Sequence, residues 1–453
     1  MSRAIAVHTR LCLNVSMGYL VAQLALAANA TVVDTGQAQC CSSIVPELPP
    51  ATYYGATMYR ESDPRSRWSP YLAIPDDATE SVEELQKKLT TLELRGGPLN
   101  PVLVPTLGQL GAAYMGEKRY AEAIRYYRRG IHLARVNDGL NAASQVSMLE
   151  QMITALVRQE NFAEADKQQA YLYRIKRWQK ERGKPEMLEA TLRYADWMRG
   201  AYLGDLDNAR YPRLVGLNDV YEDAMEEIES VDGGDSPELL PYLQGRIELS
   251  YLISVYPGEQ ETGFRGRATP AGQFQAADEA QLRFWRMRDH NFRYGLRALK
   301  RKEEIIRIEK GEATKESIDA RIAIADWYQW HRRYAEAIRN YEEAWSVAMQ
   351  DDTTGRWIDE RFSDPLELPI ETIFNQGAIP LGTHNEAEVV MNFDVNRHGE
   401  AKDIKILTEK TLANQASITR AYHFLRNVRF RPTVREGEVV RAKDVERNYK
   451  VRF

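Results

Sequence analysis

A nine-residue segment occurs twice in this chain of 453 residues, and it constrains the fold more than any other feature. Residues 119–127 and 333–341 both read Arg-Tyr-Ala-Glu-Ala-Ile-Arg-x-Tyr. Self-similarity of this kind indicates a repeat architecture, in which one supersecondary unit recurs along the chain. Because a single unit cannot bury its apolar face, neighbouring units must stack. We therefore expect a stacked helical array; the alternative is a pair of unrelated amphipathic hairpins.

The residues that flank the two copies also match, within a window of about 34 positions. Small residues recur where two antiparallel helices would approach each other closely, namely Gly111, Ala123 and Gly130 in the first window and Ala325, Ala337 and Ala344 in the second. Aromatic residues recur between them, as Tyr114, Tyr120 and Tyr127 in the first window. This pattern resembles the tetratricopeptide repeat. The resemblance implies a helical solenoid, which we place at 79–355.

The repeats between the two copies must be degenerate or interrupted. The copies lie 214 residues apart, which is not a multiple of a repeat of about 34 residues. One degenerate copy is expected at 149–172, where Asn-Phe-Ala-Glu-Ala echoes the motif. The stretch 204–312 shows no clear register, and a segment rich in Gly and Pro at 257–275 predicts a long polar loop within it.

The charge balance restricts the class of partner. A net charge of −5 and a pI of about 6.0 argue against a general nucleic-acid binder. Residues 385–453 differ from the rest, with 14 basic and 10 acidic side chains and therefore a charge of +4. This excess favours an acidic partner at the C-terminal end, and a solvated basic face is an equal alternative.

The first thirty residues have the pattern of an export signal. Arg3 and Arg10 precede a mostly apolar run at 11–27, and Ala28-Asn29-Ala30 fits the small-x-small cleavage rule. We expect cleavage after Ala30, which in a bacterium would place the mature chain in the periplasm. An uncleaved inner-membrane anchor is the alternative, because the run is long enough to span a bilayer.

A linker is expected at 31–78, where six Pro residues interrupt any helix. Cys40 and Cys41 lie in it and have no predicted structural role. Pairing with another chain in an oxidising compartment is the alternative for these cysteines. A helix is expected to begin near Ser81, where Ser-Val-Glu-Glu forms a capping box.

The pattern changes from helical to alternating near the C-terminus. Apolar and polar residues alternate from Ala387 to Val395, which predicts a half-buried strand, and Gly399 suits the following turn. A second strand, an amphipathic helix at 418–428 and a final strand to Phe453 complete a β-β-α-β unit. With Arg-Pro after the helix and Gly in the next turn, this unit resembles the C-terminal domain of TonB-type energy transducers. We place it at 385–453, after a linker at 356–384.

The TonB resemblance implies binding. In such transducers the small domain contacts outer-membrane receptors, partly by adding a receptor segment to its sheet edge. An unpaired strand edge offers main-chain donors and acceptors to an extended peptide. The last strand is therefore the candidate edge, with the partner-binding residues Arg447, Tyr449, Lys450, Val451 and Phe453. Two structural explanations compete: apolar residues that only cover the helix, and charges that only blunt the edge.

The solenoid groove is the second candidate site. In tetratricopeptide units the inner helix lines the groove, and the last repeat places Asp319, Ile322, Asp326 and Gln329 at the lining positions. They do not match the Lys/Asn clamp that some family members use for a peptide carboxylate. Because Asp319 and Asp326 are acidic, we expect this groove to prefer basic or neutral ligands.

The sequence contains no motif for catalysis or for cofactor binding. It has no Gly-rich phosphate loop, no His-Glu-x-x-His and no Gly-x-Ser-x-Gly, and no Cys or His residues at metal-ligand spacing. His290 and His331 lie in charged helical surroundings and are expected to face solvent. We therefore expect no cofactor and no metal.

These observations predict a mostly α fold: a tetratricopeptide-like helical solenoid followed by a small α+β domain of β-β-α-β order. The predicted function is a non-enzymatic periplasmic adaptor that binds other envelope proteins or peptides, and not nucleic acid. One alternative is a membrane-anchored, divergent TonB-type transducer that acts on outer-membrane transport. Another is an enzyme with an unrecognised site.

Overall fold

The computed structural model describes residues 44–46, 80–179, 185–203, 210–256, 275–368, 386–411 and 414–452. The predicted export signal at 1–30, its cleavage site, Cys40 and Cys41 lie outside the described residues. So does the predicted linker at 31–78, apart from the three residues of strand β1 (Ile44–Pro46). Within the described ranges, no helix combines the length and the apolarity that crossing a bilayer requires.

The helical part begins at Ser81, whose hydroxyl and backbone form the predicted capping box with Glu84. Each helix then packs against the next one along the chain. They are α1 (Val82–Gly96), α2 (Leu103–Gly116), α3 (Tyr120–Asp138), α4 (Val146–Arg158), α5 (Phe162–Gln179), α6 (Pro185–Leu203), α7 (Arg210–Asp232), α8 (Leu240–Ser254), α9 (Gln275–Lys310), α10 (Lys315–Trp330), α11 (Tyr334–Ala348) and α12 (Asp352–Phe362).

The two copies of the repeated segment adopt the same local structure. Their helix caps have almost equal backbone angles, φ −92° and ψ 67° at Arg119 and φ −90° and ψ 67° at Arg333. The residue before each cap has a positive φ, 59° at Lys118 and 58° at Arg332, and the degenerate copy repeats this turn with φ 59° at Glu160. In all three turns, the next backbone N–H donates to the carbonyl five residues earlier at 2.9 Å. The hairpins α2–α3, α4–α5 and α10–α11 are therefore equivalent units.

Small residues let neighbouring helices approach closely, both within a hairpin and between hairpins. A Cβ on Gly111 would lie 2.3 Å from the ring of Tyr127, and a Cβ on Gly130 would lie 2.4 Å from the sulfur of Met148. Tyr127 is buried, with 1% of its surface exposed. Its ring therefore occupies the space that the missing side chain of Gly111 leaves, as the repeat pattern predicts.

The region without a clear register contains the longest helix. Helix α9 has 36 residues and packs on α7, α8 and α10. Its Gly295 accommodates the ring of Trp327, which would lie 2.5 Å from a Cβ at this position. The amide of its buried Asn291 donates to the carbonyl of Ser250 in α8 at 2.7 Å. A helix of this length spans more than one repeat, and so it interrupts the period of the sequence.

The C-terminal domain contains helix α13 (Gln415–Asn427) and strands β2 (Leu366–Glu367), β3 (Glu386–Val395), β4 (Ala401–Ile406), β5 (Phe430–Arg431), β6 (Thr433–Arg435), β7 (Glu438–Val440) and β8 (Ala442–Arg452). It is built around an antiparallel sheet with the order β1-β8-β3-β4, against which α13 packs. Two short two-stranded sheets, β2–β5 and β6–β7, complete the domain. The predicted β-β-α-β order is β3, β4, α13 and β8, so the predicted fold class is confirmed.

The C-terminal domain shares its core with the second half of the solenoid. One apolar cluster joins Phe393 and Leu425 of the domain to Tyr341 and Phe362 of the last helices. The hairpins from α1 to α5 form a separate cluster. The segment predicted as a linker at 356–384 contributes to the shared core, because it includes part of α12 and strand β2.

Candidate functional site

The groove face of α10 is covered by the C-terminal domain of the same chain. Of the predicted lining residues, Ile322, Asp326 and Gln329 have 0% of their surface exposed, and Asp319 is half-buried. Strand β5 and the turn between β3 and β4 of this domain contact Asp326 and Gln329, and helix α12 of the solenoid contacts Asp319. The last repeat therefore does not present an open groove in this structure.

Asp326 pairs with an arginine of the C-terminal domain. Its carboxylate accepts hydrogen bonds from Nε of Arg431 at 3.0 Å and from Nη2 at 2.7 Å. The hydroxyl of Tyr341 donates to the same carboxylate at 2.8 Å. Both charged side chains are buried, Arg431 with 1% and Asp326 with 0% exposure. Two parallel hydrogen bonds fix the orientation of the guanidinium, so this pair sets the position of β5 against α10.

Gln329 holds the backbone of the same segment. Its side-chain amide donates from Nε2 to the carbonyl of His398 at 2.6 Å and to the carbonyl of Phe430 at 3.0 Å. Gly399 lies between these carbonyls with φ +68°, and a Cβ there would be 2.0 Å from the oxygen of Phe430. The turn therefore needs glycine for its conformation and for this contact. The sequence pattern predicted the need for a positive φ at Gly399, but it did not predict the close contact with Phe430.

Aromatic contacts surround the polar centre of the interface. The rings of Tyr334 and His398 stack with centroids 4.8 Å apart. The guanidinium of Arg429 donates to the carbonyl of Trp330 and lies 5.4 Å from the centre of its ring. Such contacts add affinity beyond the buried area, because the arginine charge is attracted to the ring face.

Asp319 contacts helix α12. Its Oδ1 atom lies 2.7 Å from Nη2 of Arg361. Burial raises the pKa of the Asp319 carboxyl, and the nearby guanidinium opposes that rise. Burial also lowers the pKa of Arg361, and Arg431 lowers it further by repulsion. The two acidic groove residues thus each face one arginine of the same chain.

The last strand makes two side-chain contacts with β2 and the turn before it. Tyr449 is buried, and its hydroxyl donates to Oε1 of Glu367 at 2.6 Å. Burial raises the pKa of Glu367 to about 7, against the opposing effects of Tyr449 and Arg447. The guanidinium of Arg447 donates to the carbonyl of Pro365 at 3.0 Å. Tyr449 and Arg447, both predicted as partner-binding residues, therefore contact the segment 365–367 of the same chain.

The outer edge of β8 already carries an added strand. Strand β1 pairs with it antiparallel, with Ile44 opposite Val451, Val45 opposite Lys450 and Pro46 opposite Tyr449. The pairing covers three residues of an eleven-residue strand. The side chains of Lys450 and Val451 and the whole of Phe453 lie outside the described part of the chain.

The backbone direction along the rest of β8 follows from its neighbour. Val390 of β3 directs both its N–H and its carbonyl towards the β4 side, to Thr408 and Leu407. Because these directions alternate along a strand, Met391 bonds to its partner Arg447 instead. Glu446 and Asn448 therefore point their backbone groups at the outer edge. Among the described residues, no strand pairs with β8 at these positions.

The expectation that His331 faces solvent is wrong. Its ring packs 4.4 Å from that of Trp327 and 5.0 Å from that of Phe292. Burial lowers its pKa to about 4, and Arg429 and Arg333 contribute by repulsion. Sequence patterning could not predict this burial, because Phe292 lies on α9, whose position could not be assigned.

A strip of polar side chains crosses the repeats ahead of the covered groove, and sequence reasoning missed it. Arg199 of α6 pairs with Asp196 at 3.1 Å and with the buried carboxylate of Glu248 of α8. Gln244 donates to Glu248 at 3.0 Å and accepts from Nζ of Lys302 of α9 at 2.6 Å. Burial raises the pKa of Asp196 and lowers that of Lys302. The strip balances its charges internally, which suits a structural role better than catalysis.

The described residues contain no group of three His, Cys, Asp or Glu side chains that could hold a metal ion. No protein-family model and no curated protein matches the chain. Solved structures that are similar to it include a protein from Podosopora anserina described as of the kinesin light chain type with nearly identical TPR-like repeats, and a point variant of that protein. The identities are 12% and 13%, each alignment covers 55% of this chain and 97% or 96% of the other, and both TM-scores are 0.31.

Proposed function

We propose that this protein is a periplasmic protein-binding adaptor of the cell envelope. In this role the solenoid and the C-terminal domain form one body, and the outer edge of β8 accepts an extended segment of a partner. The proposal joins the two resemblances of the sequence, to tetratricopeptide repeats and to the TonB C-terminal domain. Each resemblance implies binding rather than chemistry.

The observation that carries the proposal is the pairing of β1 with β8. A segment near the start of the chain, remote in sequence from the rest of the sheet, adds to this edge as an antiparallel strand beside β8. The edge therefore accepts an extended peptide through main-chain hydrogen bonds, which is how strand addition obtains its affinity. The N–H of Glu446 and the backbone groups of Asn448 extend the same edge beyond β1, while the carbonyl of Glu446 accepts from the guanidinium of Arg447 at 3.0 Å.

The covered groove supports a protein ligand by its chemistry. Asp326 and Gln329 bind an arginine side chain and two backbone carbonyls of an extended segment. Both interactions recognise features that any peptide strand with an arginine would present. In this structure the chain supplies that segment itself, so the open edge of β8 is the better candidate for an external partner.

The location is supported by the N-terminal pattern. The apolar run at 11–27, the preceding arginines and the small-x-small triplet before Thr31 fit an export signal. N-terminal sequencing of the protein from a bacterial periplasmic extract should find Thr31 as the first residue. A mature protein that keeps Met1 would favour the anchored transducer instead.

Site-specific photocrosslinking in the intact cell tests the binding edge. A photoreactive residue at the exposed position Glu446 of β8 is compared with one at the exposed position Lys405 of β4, at the opposite edge of the sheet. We expect a discrete adduct with another protein from position 446 only. A crosslinker at Asn448, on the same edge, should give the same adduct. Adding Glu446→Pro to that chain should remove it, because proline lacks the outward N–H while the bonds to β3 remain.

Equal adducts from both edges, or an adduct that persists with Glu446→Pro, would contradict strand addition at β8. Thermal unfolding of the proline variant shows whether the sheet remains intact. Absence of any adduct from either position, in cells that express the folded chain, would contradict the adaptor function.

A further inference from the structure

Helix α9 carries a stripe of cations on its exposed side. Between residues 283 and 302 the sequence has eight Lys or Arg residues and one acidic residue, Asp289. Arg286, Arg293, Arg297 and Lys300 are all exposed. Together with His290 they follow a spacing of four, three, four and three residues, which places them on one face of a helix. At 1.5 Å per residue, the stripe is about 21 Å long.

The cations of this stripe have no partner among the described residues. None of Arg286, Arg293, Arg297 and Lys300 forms an ion pair or a side-chain hydrogen bond there, and His290 bonds only to the carbonyl one turn before it. Neighbouring arginines behave differently. Arg283 pairs with Asp219 at 2.5 Å, and Arg301 pairs with Glu229. The cations that flank the stripe are therefore neutralised locally, and those within it are not.

Apolar side chains accompany the stripe. Leu282 is 56% exposed, Trp285 42% and Tyr294 37%. With 100° per residue, Leu282 falls within the stripe, and Trp285 and Tyr294 fall on its two flanks. Exposed aliphatic and aromatic groups next to unpaired arginines combine two forces, attraction to negative charge and burial of apolar surface.

A bilayer that contains anionic phospholipid fits this combination. Its surface is flat and negatively charged, it attracts basic side chains over about a Debye length, and guanidinium groups bind its phosphates with two hydrogen bonds. Trp and Tyr settle at the level of the lipid headgroups. A nucleic acid would bind the cations but would not bury the exposed side chain of Leu282. The whole chain is also acidic, with a pI of about 6.0, which argues against a nucleic-acid binder.

We infer that the stripe formed by Arg286, Arg293, Arg297 and Lys300, flanked by Trp285 and Tyr294, docks the protein on the surface of a membrane rich in anionic phospholipid. The contact is peripheral and reversible. It acts independently of the β8 edge, on a different part of the molecule.

Vesicle co-sedimentation of the full-length chain tests the inference. Vesicles of phosphatidylcholine alone are compared with vesicles that contain about a third phosphatidylglycerol, at low and high salt. We expect binding to the anionic vesicles that high salt removes. Arg293→Gln with Arg297→Gln should lower the partition coefficient roughly twenty-five-fold, since each cation near such a surface contributes about a fivefold factor.

The matched control is Arg128→Gln with Arg339→Gln. These arginines are exposed on α3 and α11, make no described contact, and change the net charge equally. This variant should bind within about twofold of the unmodified chain. Thermal unfolding verifies that both variants are folded. The apolar N-terminal run is present in every variant, so it cannot produce a difference between them.

Trp285 gives a second readout. Brominated lipids should quench part of the tryptophan fluorescence in the bound protein, and Trp285→Phe should remove that part. Equal binding of the stripe variant and the control would overturn the inference, as would an unchanged quench in Trp285→Phe. Duplex DNA that binds with the same dependence on Arg293 and Arg297, while the vesicles do not, would also overturn it and assign the stripe to nucleic acid.

Discussion

Arg431 and Asp326 lie 105 residues apart in the chain and form a buried two-point ion pair, with distances of 3.0 and 2.7 Å. This pair joins the small C-terminal domain to the last repeat of the solenoid. Gln329 adds two hydrogen bonds to the backbone of the same segment. The groove that a repeat protein offers to partners is, at this end of the solenoid, filled by the protein itself.

Gly399 should be essential for the contact between the two parts. In Gly399→Ala the Cβ would lie 2.0 Å from the carbonyl oxygen of Phe430. Gly233→Ala is the control, because Gly233 also has a positive φ, 86°, but has no atom within 4 Å of its Cβ position. Both variants incur the backbone cost of about 1 kcal/mol. Only Gly399→Ala should lose about a further 2 kcal/mol from overpacking, measured by denaturant unfolding. Equal losses would show that β5 does not press on this turn.

Two glycines of α2 should respond to alanine in opposite directions. A Cβ at Gly111 would lie 2.3 Å from the ring of buried Tyr127, whereas a Cβ at Gly108 would only touch Met148 at 3.7 Å. Gly111→Ala should therefore destabilise the chain by about 1–3 kcal/mol. Gly108→Ala should stabilise it by up to about 1 kcal/mol, since alanine is the better helix former. Thermal unfolding of the two variants tests the close packing that the repeat pattern predicts.

Glu367 should make stability fall as pH rises. Burial raises its pKa in the folded chain to about 7 from an ordinary 4.5, while Tyr449 and Arg447 of β8 oppose that rise. Between these two pH values the folded chain holds the proton and the unfolded chain has lost it. The free energy of unfolding therefore declines across this window, by roughly 3 kcal/mol in total.

Glu367→Gln should remove this dependence, since the amide keeps an oxygen for the hydroxyl of Tyr449 and never ionises. Denaturant unfolding at pH 5 and pH 8 measures the effect. The variant should gain stability over the unmodified chain mainly at pH 8. A gain that is equal at both pH values would mean that Glu367 is ionised throughout.

The sequence predicted the parts of the fold whose causes are local. The duplicated segment predicted equal turns, and Lys118 and Arg332 have φ of 59° and 58°. The alternation of Val389, Met391 and Phe393 predicted a strand with one buried face, and these three have 0% exposure. In both cases the residues that define the sequence pattern are also the residues that form the contacts. The helical period of 3.6 residues or the strand period of 2 is therefore enough to predict the element.

The contacts between distant segments could not be predicted in this way. The acidic character of Asp326 indicated a basic ligand, but nothing local identified that ligand as Arg431 of the same chain. Strand β1 has three residues, Ile-Val-Pro, which is too short for any periodic signal. The position of α9 could not be predicted, because its 36 residues follow no repeat period. Long-range pairing of this kind depends on the complementary shape of the whole fold.

A double-mutant cycle on Asp326 and Arg431 tests most directly whether the C-terminal domain fills the last groove. Asp326→Asn, Arg431→Met and the double variant are unfolded with denaturant in the full-length chain. Each single change should cost about 3–5 kcal/mol, because it leaves one buried charge unpaired. The double variant should cost less than the sum, with a coupling energy of at least about 2 kcal/mol. Costs that add within about 0.5 kcal/mol would show that the two residues do not meet in the folded protein.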